Sequence, residues 1–138
     1  MSNFTRYNPS ELFSTGQSGG VCAVKYAYAF ATQNTTVTLV AAVTAKKIRV
    51  VSVAQLAADT TSGILQNGRF LSSTGSVQLS PYMLGRGYIA ADQTFIDWQP
   101  WQFNPAGWFE TAAGDILQLQ ALAAASGGIG ALVGYIEV

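Results

Sequence analysis

The chain has 138 residues, seven basic and seven acidic side chains, one cysteine and no histidine, so its formal net charge is zero. Neutrality excludes the basic stripe that tracks nucleic-acid phosphates; the lack of histidine removes the usual general base near neutral pH and zinc sites built from His and Cys. Charged residues make up 10% of the chain and apolar types 49%, against about 25% charged in an ordinary soluble domain, so much of this surface is expected to meet protein rather than water.

Residues 1–20 are polar, contain Pro9, and end in the run "STGQSGG". They read as an extended N-terminal arm, pinned through its apolar members Phe4, Tyr7, Leu12 and Phe13 either to its own domain or to a neighbouring subunit. The start "MSNFTRYNPSELF" lacks the apolar run of a signal peptide, which leads to the expectation of a soluble protein made in a cytoplasm. The longest uncharged window, Tyr26 to Ala45, is broken by "TQNTT" and does not read as a membrane span.

From residue 21 onwards the periodicity is two, and no boundary interrupts 21–138, which reads as one domain. In "VCAVKYAYAF" Cys22, Val24, Tyr26, Tyr28 and Phe30 share one face, while Val21, Ala23, Lys25, Ala27 and Ala29 share the other. Such alternation predicts a strand with one bulky and one small face. Cys22 reads as a small core hydrophobe; a lone cysteine forms no internal disulfide, and no histidine is there to activate it. "TTVTLVAAVT" is rich in β-branched residues and predicts a second strand. In "KKIRVVSVAQLAA" Ile48, Val50, Ser52, Ala54 and Leu56 are expected on one face, and Lys46, Lys47 and Arg49 form a solvated strand start.

Shorter segments follow. Asn67-Gly68 in "QNGR" predicts a type I′ hairpin turn. Short strands are expected around Val77 and Leu79, in "YMLGRGYIA" with Gly85 and Gly87 as bend points, and in "QTFIDW". The segment from Phe95 to Glu110 then holds all three tryptophans, three of the seven phenylalanines and two prolines. It is therefore neither one helix nor one long central strand. Its rings could plug one end of a sandwich, seal a subunit contact, or form a ligand platform with Gln99, Gln102 and Asn104 to hydrogen-bond sugar hydroxyls. "GDILQLQALAA" alternates Leu117, Leu119 and Ala121 against Ile116, Gln118 and Gln120, which favours strand over helix, and "IGALVGYIEV" predicts a closing strand.

About eight or nine short strands at this spacing predict an all-β, antiparallel β-sandwich, jelly-roll-like, with an extended N-terminal arm. Chemistry is poorly supplied. Glu110 with Asp115 and Asp92 with Asp97 are the local acid pairs, but any sequence offers such pairs. "GRG" and "SGGIG" lack the spacing of phosphate-binding loops, and nothing matches an EF-hand. No enzyme, metal site or cofactor is expected.

Two blocks, "AKKIRVVSVAQLAA" and "NPAGWFETAAGDILQLQALAAASGGIGALVGYIEV", cover about a third of the chain. They resemble a group of small virion proteins of tailed bacteriophages. The matching positions are Lys47, Ile48 and Arg49, then Pro105, Gly107, Trp108, Phe109, Glu110 and Thr111. Gly114, Asp115 and Leu117 follow, with Gly134, Tyr135, Glu137 and Val138 at the end. The resemblance implies a jelly-roll module that sits on the capsid surface as a decoration or cement protein. It further implies a homotrimer bound to the major capsid protein, with no membrane or nucleic-acid partner. It extends also to modules of head fibres and tail parts, so the alternative is a carbohydrate- or receptor-binding module whose partner is a glycan. Trp108 and Phe109, inside the shared block, are expected to close the sandwich. Trp98, Trp101 and Phe103, outside it, are expected with the arm residues Phe4, Tyr7, Leu12 and Phe13 to form protein interfaces.

Overall fold

The structure is a computed structural model and describes residues 23–59, 65–73, 77–86, 88–90, 93–95, 97–122 and 127–138. The arm 1–20 and Cys22 lie outside the described residues. The alternating segments form strands as their pattern requires. β1 (Lys25–Thr32) and β2 (Thr36–Val40) are followed by the long β3 (Ile48–Asp59) and by β4 (Leu65–Ser72). Two short strands, β5 (Val77–Gln78) and β6 (Met83–Arg86), precede a small hairpin of β7 (Tyr88–Ala90) and β8 (Gln93–Phe95). β9 (Asp97–Trp101) and β10 (Phe109–Glu110) flank the aromatic loop, and β11 (Leu117–Ala121) and β12 (Gly127–Glu137) close the chain. No α-helix occurs among the described residues.

The pairing is nested and antiparallel. β1 pairs with β12, β2 with β11, β3 with β9 and β10, and β4 with β5 and β6. Lateral pairing of β12 with β3 and of β11 with β4 then knits these hairpins into two five-stranded sheets. One sheet runs β1-β12-β3 with β9 and β10 along the far edge of β3; the other runs β2-β11-β4 with β5 and β6 along β4. A long hairpin folded over so that successive strands cross between two sheets is the jelly-roll pattern. Its eight positions match the expected strand number; β5 with β6, and β9 with β10, share two of them. Pro100 sits in β9, which pairs only with β3, so its missing N–H falls on an edge.

The core lies between the sheets. Phe70, Leu117 and Leu119 from one sheet meet Ile48, Val50, Ile129 and Val133 from the other, all essentially buried. Interdigitated faces of this kind make the interior of a sandwich.

Two local expectations are overturned. Asn67-Gly68 is not a turn: both lie inside β4, opposite Leu84 and Met83 on β6. Gly68 is there because a Cβ would stand 2.7 Å from the Gln120 carbonyl oxygen of β11 and 3.1 Å from Ile129 Cδ1. The second concerns β3. Its register on β12 shifts between Gly134, opposite Ser52, and Tyr135, opposite Val50, leaving Val51 as an extra residue. One extra residue reverses the alternation. Ile48 and Val50 therefore face the core below the bulge and Val53 and Ala57 above it, while Ser52, Ala54 and Leu56 turn outward.

Candidate functional site

Lys47, Ile48 and Arg49 meet Glu110 and Thr111 at one corner, where the start of β3 runs beside β10. Glu110 bridges two cations, with Oε1 2.8 Å from Lys47 Nζ and Oε2 2.9 Å from Arg49. The Lys47 hydrogen bond, followed by those of Arg49, holds the Glu110 carboxyl below its ordinary range. Thr111 is buried; its hydroxyl accepts from the Ile48 N–H at 3.0 Å and donates to the Ala112 carbonyl at 2.9 Å. Asp115 accepts from the backbone N–H of Ser73 at 2.9 Å and of Ile116 at 2.8 Å, and from the hydroxyls of Ser72 and Ser73. The Ser73 hydroxyl is the main reason its carboxyl is also shifted down. Both acids are engaged in holding strands and turns together, Glu110 through Lys47 and Arg49 and Asp115 through Ser72, Ser73 and Ile116. Asp92 lies outside the described residues. Among the described residues no cluster of three or more His, Cys, Asp or Glu side chains could hold a metal ion.

The aromatic segment divides. Trp101 packs on the core, edge-on to Phe70 with ring centroids 6.5 Å apart. Phe109 lies against the same Phe70 at 5.0 Å. Trp101 is thus partly buried, packed against the core where β9 pairs with β3. Trp108, expected to close the sandwich, is 45% exposed; it stacks edge-on against Trp101 at 5.6 Å and donates its indole N–H to the Gln102 carbonyl. Phe103 is 50% exposed. The backbone of Trp98 lies in β9 opposite Leu56. Phe4, Tyr7, Leu12 and Phe13 lie outside the described residues.

The larger exposed aromatic surface is elsewhere. The small face of β1, with Ala27, Ala29 and Ala31, packs inward, and the bulky face turns out. Tyr26 is 69% exposed and Tyr28 56%. In register beside them on β12 are Gly134, Leu132 and Gly130, of which Leu132 is 38% exposed. The Tyr28 and Phe30 side chains lie so low over Gly130 that a Cβ there would stand 3.0 Å from the Tyr28 hydroxyl and 3.1 Å from the Phe30 ring. Ala54 and Leu56 of β3 and Pro100 of β9 continue this face. Between Tyr26 and Thr32 of β1, Gly128 and Gly134 of β12, and Ser52 and Leu56 of β3, its outward positions carry no charged residue.

The outer face of the other sheet is its opposite in character. There Arg69 donates to Gln120 at 2.9 Å and to Gln78 at 2.8 Å and sits 5.2 Å from the centre of the Tyr82 ring. Gln120 in turn donates to Thr36. The outer face around Arg69 is a polar, hydrogen-bonded lattice, whereas the stretch around Tyr26, Tyr28 and Leu132 carries no charge.

No protein-family model matches the chain, and no curated protein matches it.

Proposed function

We propose that the protein is a structural component of a tailed-phage virion: a decoration or cement protein that binds the major capsid shell as a homotrimer and stabilises it. The observation that carries this reading is the uncharged, tyrosine-bearing outer face of the β1-β12-β3-β9 sheet. Monomeric proteins rarely leave a broad apolar patch bare, and one of this kind marks a contact with another protein. The block that resembles phage virion proteins agrees with it, since Lys47, Arg49, Glu110, Thr111 and Asp115 all serve the fold and none is left for chemistry. A cement protein works by many weak apolar contacts repeated at high copy number, and an oligomer multiplies them by effective concentration. The role needs no catalysis, cofactor or metal.

The test is to add purified protein to capsid shells assembled without it. Saturable binding and a raised shell melting temperature are expected; shells that neither bind the protein nor gain stability would overturn the reading.

A glycan-binding module is the second reading, favoured by the exposed rings of Tyr26, Tyr28 and Trp108. Titration with host polysaccharide distinguishes the two. Quenching or shift of the Trp108 emission, or loss of binding in Tyr28→Ala, would favour the module over the cement protein.

A further inference from the structure

We infer that the outer face of the β1-β12-β3-β9 sheet is the contact between copies of this chain, with Tyr26 and Tyr28 along its β1 edge. The inference rests on the self-assembling virion protein proposed above and names which of its surfaces joins the copies.

Shape comes first. β12 places Gly130 and Gly134 on the outward face, so the middle of the sheet has almost no relief. The neighbouring Tyr28 and Phe30 rings lie down over Gly130 instead of standing off it. A smooth apolar sheet can be approached closely by another flat surface, as in the packing of sheets about 10 Å apart.

Size comes next. The stretch of β1 from Tyr26 to Thr32, at about 3.3 Å per residue, gives a length of about 23 Å, and four strands about 4.8 Å apart give a width of about 19 Å, less where the five-residue β9 falls short. The face therefore offers at most about 440 Å² from each copy, or about 900 Å² across a contact, in the range of weak and transient interfaces rather than of the standard size. Such a contact forms and dissociates with concentration.

Charge selects the occupant. A second copy brings zero net charge, so approach meets no long-range repulsion. Because the face has no charged position between Tyr26 and Thr32 or between Gly128 and Gly134, burying it strands no ion. Tyrosine suits the place: its ring fills apolar area and its hydroxyl supplies a polar handle for a hydrogen bond within a contact. The polar lattice around Arg69 on the other sheet has none of these properties.

The experiment is the mass of the full chain in solution by light scattering across the micromolar range. The wild type is expected to be an oligomer that dissociates on dilution. Tyr28→Lys and Tyr26→Lys are each expected to weaken association by about tenfold or more, because each buries an unpaired ammonium. Their melting temperatures under dissociating conditions should match the wild type. Tyr82→Lys, on the opposite sheet, should leave the mass unchanged, and Tyr26→Lys at the most exposed position covers the case in which Tyr28→Lys fails to fold. A wild type that stays a single chain throughout would overturn the inference and the trimer together. An oligomer untouched by both lysines, or lost equally in Tyr82→Lys, would overturn this face alone. Unchanged mass with lost shell binding would give the face to the capsid, and unchanged mass with a lowered melting temperature would give it to the chain's own N-terminal segment; either result overturns the inference.

Discussion

Gly107 has φ +87°, and a Cβ built on it would stand 2.5 Å from Arg49 Cγ and 2.8 Å from Cδ. Both the backbone conformation and the space therefore demand glycine. Gly107→Ala should cost about 1–3 kcal/mol in urea unfolding, and because it displaces Arg49 it should also loosen the ion pair with Glu110. The Glu110 pair gives a second expectation, in pH. Its carboxyl is held below the ordinary 4.5, first by Lys47 and then by Arg49. The folded chain then gives up that proton more readily than the unfolded one. The resulting stability is complete above the unfolded value and is lost as pH falls through the folded one. The three side chains are about one-third to one-half exposed, so the pair contributes no more than about 1 kcal/mol. Glu110→Gln should be less stable than wild type by up to that amount at neutral pH, with the two denaturation curves converging in acid as wild-type Glu110 takes up its proton.

At the level of elements, the alternation in β1 identifies a strand with one bulky and one small face but does not say which is buried. Ala27, Ala29 and Ala31 face the core, because β1 is an edge strand drawn close over the opposite sheet. The aromatic segment shows a related division. Trp101 is bound into the core through Phe70, whereas Phe103 stands half out of the surface. Trp101→Ala should lower stability by about 2–3 kcal/mol, less than a fully buried tryptophan loses, while leaving the association state of the folded protein as it was. Phe103→Ala should stay within about 0.5 kcal/mol of wild type, as surface replacements do. Thermal melts and light scattering on the two variants check both.

For the molecule as a whole, the scarcity of charge is spread unevenly. Lys47, Arg49 and Glu110 pair with one another at one corner, Lys25 pairs with Glu137 beside it, and Arg69 is absorbed into a polar sheet face. The stretch of the other sheet's outer face between Tyr26 and Thr32, Gly128 and Gly134, and Ser52 and Leu56 is left without charge. Association through it should therefore survive added sodium chloride, which screens ionic contacts, and strengthen in sulfate, which favours apolar burial. Light scattering at low and high salt checks this; an oligomer that falls apart in salt would point to an ionic contact instead. The N-terminal arm makes a separate expectation. Deleting residues 1–20 should weaken binding to capsid shells more than it lowers the melting temperature, and a collapse in stability would assign the arm to the protein's own fold.

What the sequence determined is local. Period-two alternation in residues 22–30, 48–58 and 116–121 identified strands because a strand's side-chain period is a property of its own backbone. The spacing of those strands then defined an antiparallel sandwich, and the block from Asn104 to Asp115 holds Gly107, Glu110, Thr111 and Asp115, whose partners explain their presence. What only the tertiary structure decided is which side of each strand is buried and which glycine turns the chain. Asn67-Gly68 has the local chemistry of a hairpin, yet the approach of β11 and Ile129 uses Gly68 for space inside a strand. The bulge at Val51 reverses the outward face of β3, and the packing of β1 leaves Tyr26 and Tyr28 in the open. Burial depends on neighbours far away in the chain, and alternation is the same whichever face they cover.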